Sequence, residues 1–150
     1  AMMHDSGGPR RVQPQLERLG AKIWDPSKVV MASDHFVPPP DVDSAEILAL
    51  TRRFARDHAI DSFYDMQGIC HVVLQEHAHL LPGMFAVGGD SHSPSGGAVG
   101  AFMVGIGATE MTGVLVTGDD ELLFEKGGKD DRTCPGVRQA AQARQLAGER

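Results

Sequence analysis

Cysteines, basic residues and long apolar runs are all scarce in this chain, and each scarcity removes a class of protein. Only Cys70 and Cys134 occur in 150 residues, so neither a disulfide framework nor a paired-cysteine metal site is built from them. A reducing, cytoplasmic setting is the expectation. Lysine and arginine number 14 against 20 acidic residues, a formal charge of −6, which disfavours nucleic-acid phosphate or an anionic membrane as the main partner. No apolar run approaches the roughly 18 residues of a membrane span. The opening Ala1-Met2-Met3-His4-Asp5 has neither the basic nor the apolar region of a signal peptide.

What is present fits one α/β domain of ordinary size, with 41% hydrophobic residues and an abundance of glycine (18) and proline (9) that predicts backbone-shaped loops. His4 to Pro9 reads as turn chemistry with no element leading into it. Val12, Leu16 and Leu19 predict a helix over 9–19 that Gly20 caps, with Pro14 against it. Val29 to Ala32 predicts a buried strand emptying into Ser33-Asp34-His35. Asp43 or Ser44 then caps a helix over 43–58 with Ile47, Leu50, Phe54 and Ala55 inward. Phe63-Tyr64, Ile69 to Leu74 and Phe85 to Val87 read as strand or extended segments. Gly96 to Thr117 reads as two short buried helices broken near Gly105, and 119–150 as a polar tail, weakly helical or disordered. Strands alternating with helices predict a layered α/β domain, three layers about a short, mostly parallel sheet, with the site where strands end in loops.

The residues able to do chemistry fall at such ends. Asp34-His35 sets an acid beside an imidazole, the pairing that fixes a histidine's tautomer and suits it to deliver a proton, although a lone Asp-His is commonly a turn cap beside a surface ring. His4-Asp5 and Asp90-Ser91-His92 repeat the pairing, and the recurrence predicts convergence on one pocket with His71. Cys70 reads as an inert small hydrophobe, and Glu76-His77-Ala78-His79 as a solvated loop without a zinc-protease spacing. Ser91 lacks the nucleophile elbow of hydrolases, and Ser95 to Gly100 is followed by no Gly-Lys-Ser/Thr. Gly105-Ile106-Gly107 leads to Glu110 at the last position of a dinucleotide fingerprint, with no strand expected before it. A glycine-bounded helix start beside Asp90-Ser91-His92 remains as a place where backbone N–H groups hold a carboxylate.

The run Gly88-Gly89-Asp90-Ser91-His92-Ser93-Pro94-Ser95-Gly96-Gly97-Ala98-Val99-Gly100, followed by Gly105-Ile106-Gly107-Ala108-Thr109-Glu110-Met111, resembles the signature of the aconitase family. It is similar in particular to the 3-isopropylmalate dehydratase and homoaconitase large subunits. His4-Asp5, Asp34-His35-Phe36-Val37-Pro38 and Gly68-Ile69-Cys70-His71-Val72 match earlier motifs in the same order, so the resemblance covers about residues 3–118.

The resemblance implies reversible dehydration of a hydroxy-di- or tricarboxylic acid on a 4Fe–4S cluster whose open iron is a Lewis acid. Asp34 and His35 would protonate the departing hydroxyl, and His71, Asp90 and His92 would orient hydroxyl and water. Ser91 would contact a substrate carboxylate, with His4, Asp5 and Ser93 in substrate binding. The three cluster cysteines, one preceding a Cys-x-x-Cys pair downstream, have no counterparts here, so no residue is assigned as a metal ligand. The catalytic serine base and further arginines belong to a swivel domain, expected from a small subunit or from further domains. The chain is thus expected to be a partial aconitase-like domain over 1–118, inactive alone. The alternatives are a polycarboxylate-binding module or a remnant without function.

Overall fold

In the computed structural model, which describes residues 1–118, five short strands form one sheet: β1 (Met2–His4), β2 (Val30–Ser33), β3 (Phe63–Asp65), β4 (Phe85–Gly88) and β5 (Phe102–Gly105). Their order is β3-β2-β1-β4-β5, and every neighbouring pair is parallel. Four helices accompany them: α1 (Pro9–Leu19), α2 (Val42–Asp57), α3 (Cys70–Glu76) and α4 (Ala108–Thr117). Helix α1 packs against α2 and α4, whereas α3 packs against β2 and the 3₁₀ segment Ser93–Val99. The result is the expected α/β arrangement, a short parallel sheet flanked by helices and partial as a domain.

Methionine fills much of the interior. Met2, Val30, Ala32 and Met103 of the strands form one buried cluster with Cys70 and Leu74 of α3 and with Leu80 and Ala101. Met3 and Met31, both completely buried, are one residue further along and so face the opposite layer. Full burial of such a side chain stabilises by about 1.5–3 kcal/mol, and it fixes the register of β1 in the middle of the sheet.

Helix α1 has the predicted bounds, and Gly20 closes it in the left-handed conformation at φ 59°. Elsewhere the structure corrects the reading. His4 does follow an element, since Met2–His4 is a central strand. Helix α2 is capped by Asp41, whose carboxylate accepts the Ser44 N–H, rather than by Asp43 or Ser44. Its hidden face is Ser44, Leu48, Thr51, Phe54 and Ala55, with Ile47 and Leu50 only half-buried. Thr51 tolerates burial because its hydroxyl donates to the Ile47 carbonyl.

Ile69 to Leu74 is no strand but the approach to and body of α3. Gly68, at φ 142°, turns the chain away from β3, and the Cys70 N–H goes to the Asp34 carboxylate instead of to a neighbouring strand. The helix pair predicted across Gly96 to Thr117 is a 3₁₀ segment, a strand and one helix. Phe102 to Gly105 pairs residue by residue with Phe85 to Gly88, so a strand does precede Gly105-Ile106-Gly107. The 119–150 tail expectation, with Cys134 in it, lies outside the described residues. Among the described residues, no helix is long and apolar enough to cross a membrane.

Candidate active site

Because the strands are parallel, their carboxyl ends lie along one edge of the sheet. Strand β1 sits between β2 and β4, and the chain leaves β1 toward β2 but leaves β4 toward β5. That divergence opens a crevice at the carboxyl ends, where ligands of such sheets bind. The His4 side chain spans it: Nε2–H donates to the Gly89 carbonyl at 3.0 Å and Nδ1 accepts from the Ser6 hydroxyl at 2.9 Å. Burial, ahead of the nearby His35, lowers the His4 pKa against the pull of that carbonyl, so the ring is neutral at pH 7.

Asp34 and His35 follow β2. The His35 Nδ1–H donates to Asp34 Oδ1 at 2.6 Å, and its ring stacks on His4 at 4.1 Å between centroids and 20° between planes. Asp34 Oδ2 accepts the Cys70 N–H at 2.7 Å. Burial opposes ionising Asp34, yet hydrogen bonds from the Cys70 N–H, the His35 ring and the Cys70 thiol outweigh it and hold the carboxyl below the usual range. Asp5 is completely buried beneath this loop, its two oxygens accepting the His35 and Phe36 N–H groups at 3.1 and 3.0 Å.

The second group gathers on Asp90. Its Oδ1 accepts from His71 Nε2 at 2.9 Å, from the His92 N–H at 2.7 Å and from His92 Nδ1 at 3.1 Å. His71 Nδ1 is buried without a partner, so the ring proton sits on the nitrogen facing Asp90. Burial opposes ionising Asp90 too, but these hydrogen bonds outweigh it and bring the carboxyl down to about 2. Ser93 is fully buried and its hydroxyl donates to the Asp90 carbonyl, whereas Ser91 is exposed on the loop. The two groups meet where His35 Nε2 comes within 3.9 Å of Asp90 Oδ2. Asp34, His35, His71, Asp90 and His92 therefore line one crevice, with His4 below it and Asp5 and Ser93 inside its walls.

One feature escaped the sequence reading. Cys70 is more than filler: its N–H donates to Asp34, and only its place just before His71 hinted at this. The 4Fe–4S cluster implied by the resemblance needs thiolates, and the chain offers two cysteines. Burial, with Asp34 beside it, drives the Cys70 thiol far above its usual pKa. These cysteines do not fit the ligand set of such a cluster.

A parallel sheet whose carboxyl edge gathers paired carboxylates and imidazoles is that of an α/β domain with a candidate polar site at its strand ends. The aconitase family (aconitate hydratase) matches residues 1–126, and the chain belongs to that family. Over 120 residues it is 48% identical to 3-isopropylmalate dehydratase large subunit 1 of Methanopyrus kandleri, covering 79% of this chain and 28% of that protein. Over 127 residues it is 42% identical to the methanogen homoaconitase large subunit of Methanocaldococcus jannaschii, covering 84% of this chain and 30% of that protein. The chain thus spans less than a third of the length of these relatives.

Proposed function

We propose that this chain is the proton-delivering part of a cytoplasmic hydro-lyase that dehydrates and rehydrates a hydroxy-di- or tricarboxylic acid of the 3-isopropylmalate or homoaconitate kind. The observation that carries the reading is His35, held at Nδ1 by an ionised Asp34 while Nε2 faces the crevice toward Asp90. A doubly protonated His35 gives its Nε2 proton to the hydroxyl as the carbon–oxygen bond breaks. The bonding pair stays on oxygen, water leaves, and the ring remains neutral with its Nδ1–H on Asp34. His71 and His92, aimed by Asp90, orient the hydroxyl, and Ser91 meets a substrate carboxylate. His4 supports the His35 ring, while Asp5 and Ser93 hold backbone rather than substrate.

The proton on carbon requires a base from outside these residues, in the small swivel subunit or the remaining domains, which would also bring the iron–sulfur cluster's ligands. Among the described residues, no lysine or arginine pairs with Asp5, Asp34 or Asp90. A polycarboxylate facing three carboxylates is repelled until cations arrive. That lining weighs against a free-standing polycarboxylate-binding module and predicts no turnover by the chain alone. The test joins the chain to the downstream remainder of a relative's large subunit, with its small subunit, and follows the ultraviolet absorbance of the unsaturated acid. Turnover in the assembled enzyme is expected, falling about 10²- to 10⁴-fold in His35→Ala. Turnover by the isolated chain, or full activity in His35→Ala, overturns the reading.

A further inference from the structure

We propose that His71, Asp90 and His92 form a binding site for one divalent transition-metal ion, zinc in class, made entirely of this chain's residues. A nitrogen from each ring converges on one carboxylate oxygen, His71 Nε2 at 2.9 Å and His92 Nδ1 at 3.1 Å. Ligand atoms of the three residues lie within 4.8 Å of one another. Two ligands each about 2.0–2.2 Å from a zinc ion stand roughly 3.0–3.5 Å apart at ordinary angles, so each ring nitrogen already stands from the Asp90 oxygen at nearly the spacing of a coordination shell. Their present contacts are hydrogen bonds through shared protons, which an ion replaces.

The scaffold supports that geometry from separate elements. His71 is fixed on α3. The Asp90 loop is tied by the His92 N–H and the Ser93 hydroxyl, and its backbone lies against Gly105, where a Cβ would be 2.5 Å from the Asp90 carbonyl oxygen. The 81% exposed His92 ring leaves its side open for water or a chelating hydroxy acid. The surrounding charge favours a cation, since Asp34 and Asp5 stand in the neighbouring group and, among the described residues, no lysine or arginine pairs with them.

Two imidazoles with one carboxylate suit zinc, cobalt or nickel better than magnesium or calcium. The other group, His4, Asp5, Asp34 and His35, is the poorer host, because both nitrogens of His4 and both oxygens of Asp5 are already engaged. Metal on His71 Nε2 moves that ring's proton to Nδ1, where no acceptor waits. Affinity is therefore expected to fall below that of sites whose outer ring nitrogen is supported. The hydro-lyase reading uses the same side chains for the substrate hydroxyl, so an ion bound there displaces that contact; metal binding is nevertheless read without turnover, and either reading can fail without the other.

The test titrates the full, chelator-stripped chain with Co2+, reading the visible ligand-field absorption, with zinc competition and metal analysis for stoichiometry. One ion per chain is expected, bound at least about tenfold more weakly in His92→Ala and in Asp90→Asn. His92→Ala alters only an exposed side chain, so its result stands even if Asp90→Asn disturbs the loop. A His77→Ala/His79→Ala double variant is expected to bind like the wild type. No stoichiometric ion in the wild type, unchanged affinity in His92→Ala, or loss of the ion in the His77/His79 variant overturns the proposal.

Discussion

The loop after β2 and the loop after β4 each set an aspartate against histidine at the same sheet edge, but they are held in different ways. Asp34–His35 is fixed from three directions: the first N–H of α3 on Asp34, the buried Asp5 on the loop backbone, and the His4 ring stacked under His35. The Asp90 loop is held more by itself, through the His92 N–H and the Ser93 hydroxyl, with the His71 ring bonded to Asp90 and the backbone of Gly105 close against it from other elements. Exposure follows suit, with the His35 side chain 36% exposed and that of His92 81%. A group that must aim one proton gains from fixed walls. A group that admits a ligand from solvent gains from an open one.

The largest effect is expected where the first loop is braced from inside. Asp5→Asn turns one N–H acceptor into an amide NH2 group facing a backbone N–H, leaving a buried donor unsatisfied. Hydrogen bonds to charged groups contribute about 1.5–3 kcal/mol each, so a stability loss of about 3 kcal/mol is expected by urea denaturation. A loss below about 1 kcal/mol would mean that the β2 loop needs no brace and that the contrast is false.

A smaller cost is expected in the second loop. A Cβ at Gly105 meets the Asp90 carbonyl oxygen at 2.5 Å, whereas at Gly97 it meets nothing within 4 Å. Gly105→Ala should therefore cost about 1–3 kcal/mol as overpacking, and Gly97→Ala within about 0.5 kcal/mol, as an ordinary surface change does. Equal urea midpoints for both variants would show that the Asp90 loop shifts freely.

Acid separates the loops further. The folded-state pKa of Asp90 is depressed to about 2, so its contribution is fully present above the ordinary aspartate value of about 4. It is lost as pH falls from there toward about 2, when the folded protein takes up the proton it had refused. Asp34 is shifted in the same direction. Asp90→Asn should flatten, but not abolish, the fall in stability below pH ~4, with the Asp34 share remaining. An unchanged acid profile would place the acid sensitivity elsewhere.

These differences mark what the sequence could show. Asp34-His35 and Asp90-Ser91-His92 were legible because turn-forming polar residues after short apolar runs announce strand ends whatever the partners are. Asp5 was not, since nothing local distinguishes a carboxylate turned inward onto two amides from one facing a ligand. Ile69 to Leu74 was misread because a short apolar run with two valines suits a buried strand or a buried helix alike. Its fate was settled by Asp34, some 36 positions away, taking the Cys70 N–H. Ser44 and Thr51 on the hidden face of α2 were passed over for Ile47 and Leu50 for the same reason. Hydropathy does not record that the Thr51 hydroxyl is satisfied by the preceding turn.

The smallest effect on stability is expected at His92. Its ring is 81% exposed, and its contact with Asp90, at 3.1 Å, duplicates one that the His92 backbone N–H makes at 2.7 Å. His92→Ala retains the backbone bond and exposes no buried group, so it should change stability by no more than about 0.5 kcal/mol. His35→Ala removes a ring stacked on His4 and bonded to a largely buried Asp34, and should cost about 1 kcal/mol or more. Paired urea melts of the two variants test the contrast on matched residues. If His92→Ala proves as costly as His35→Ala, the β4 loop is as rigidly built as the β2 loop, and openness is not what distinguishes it.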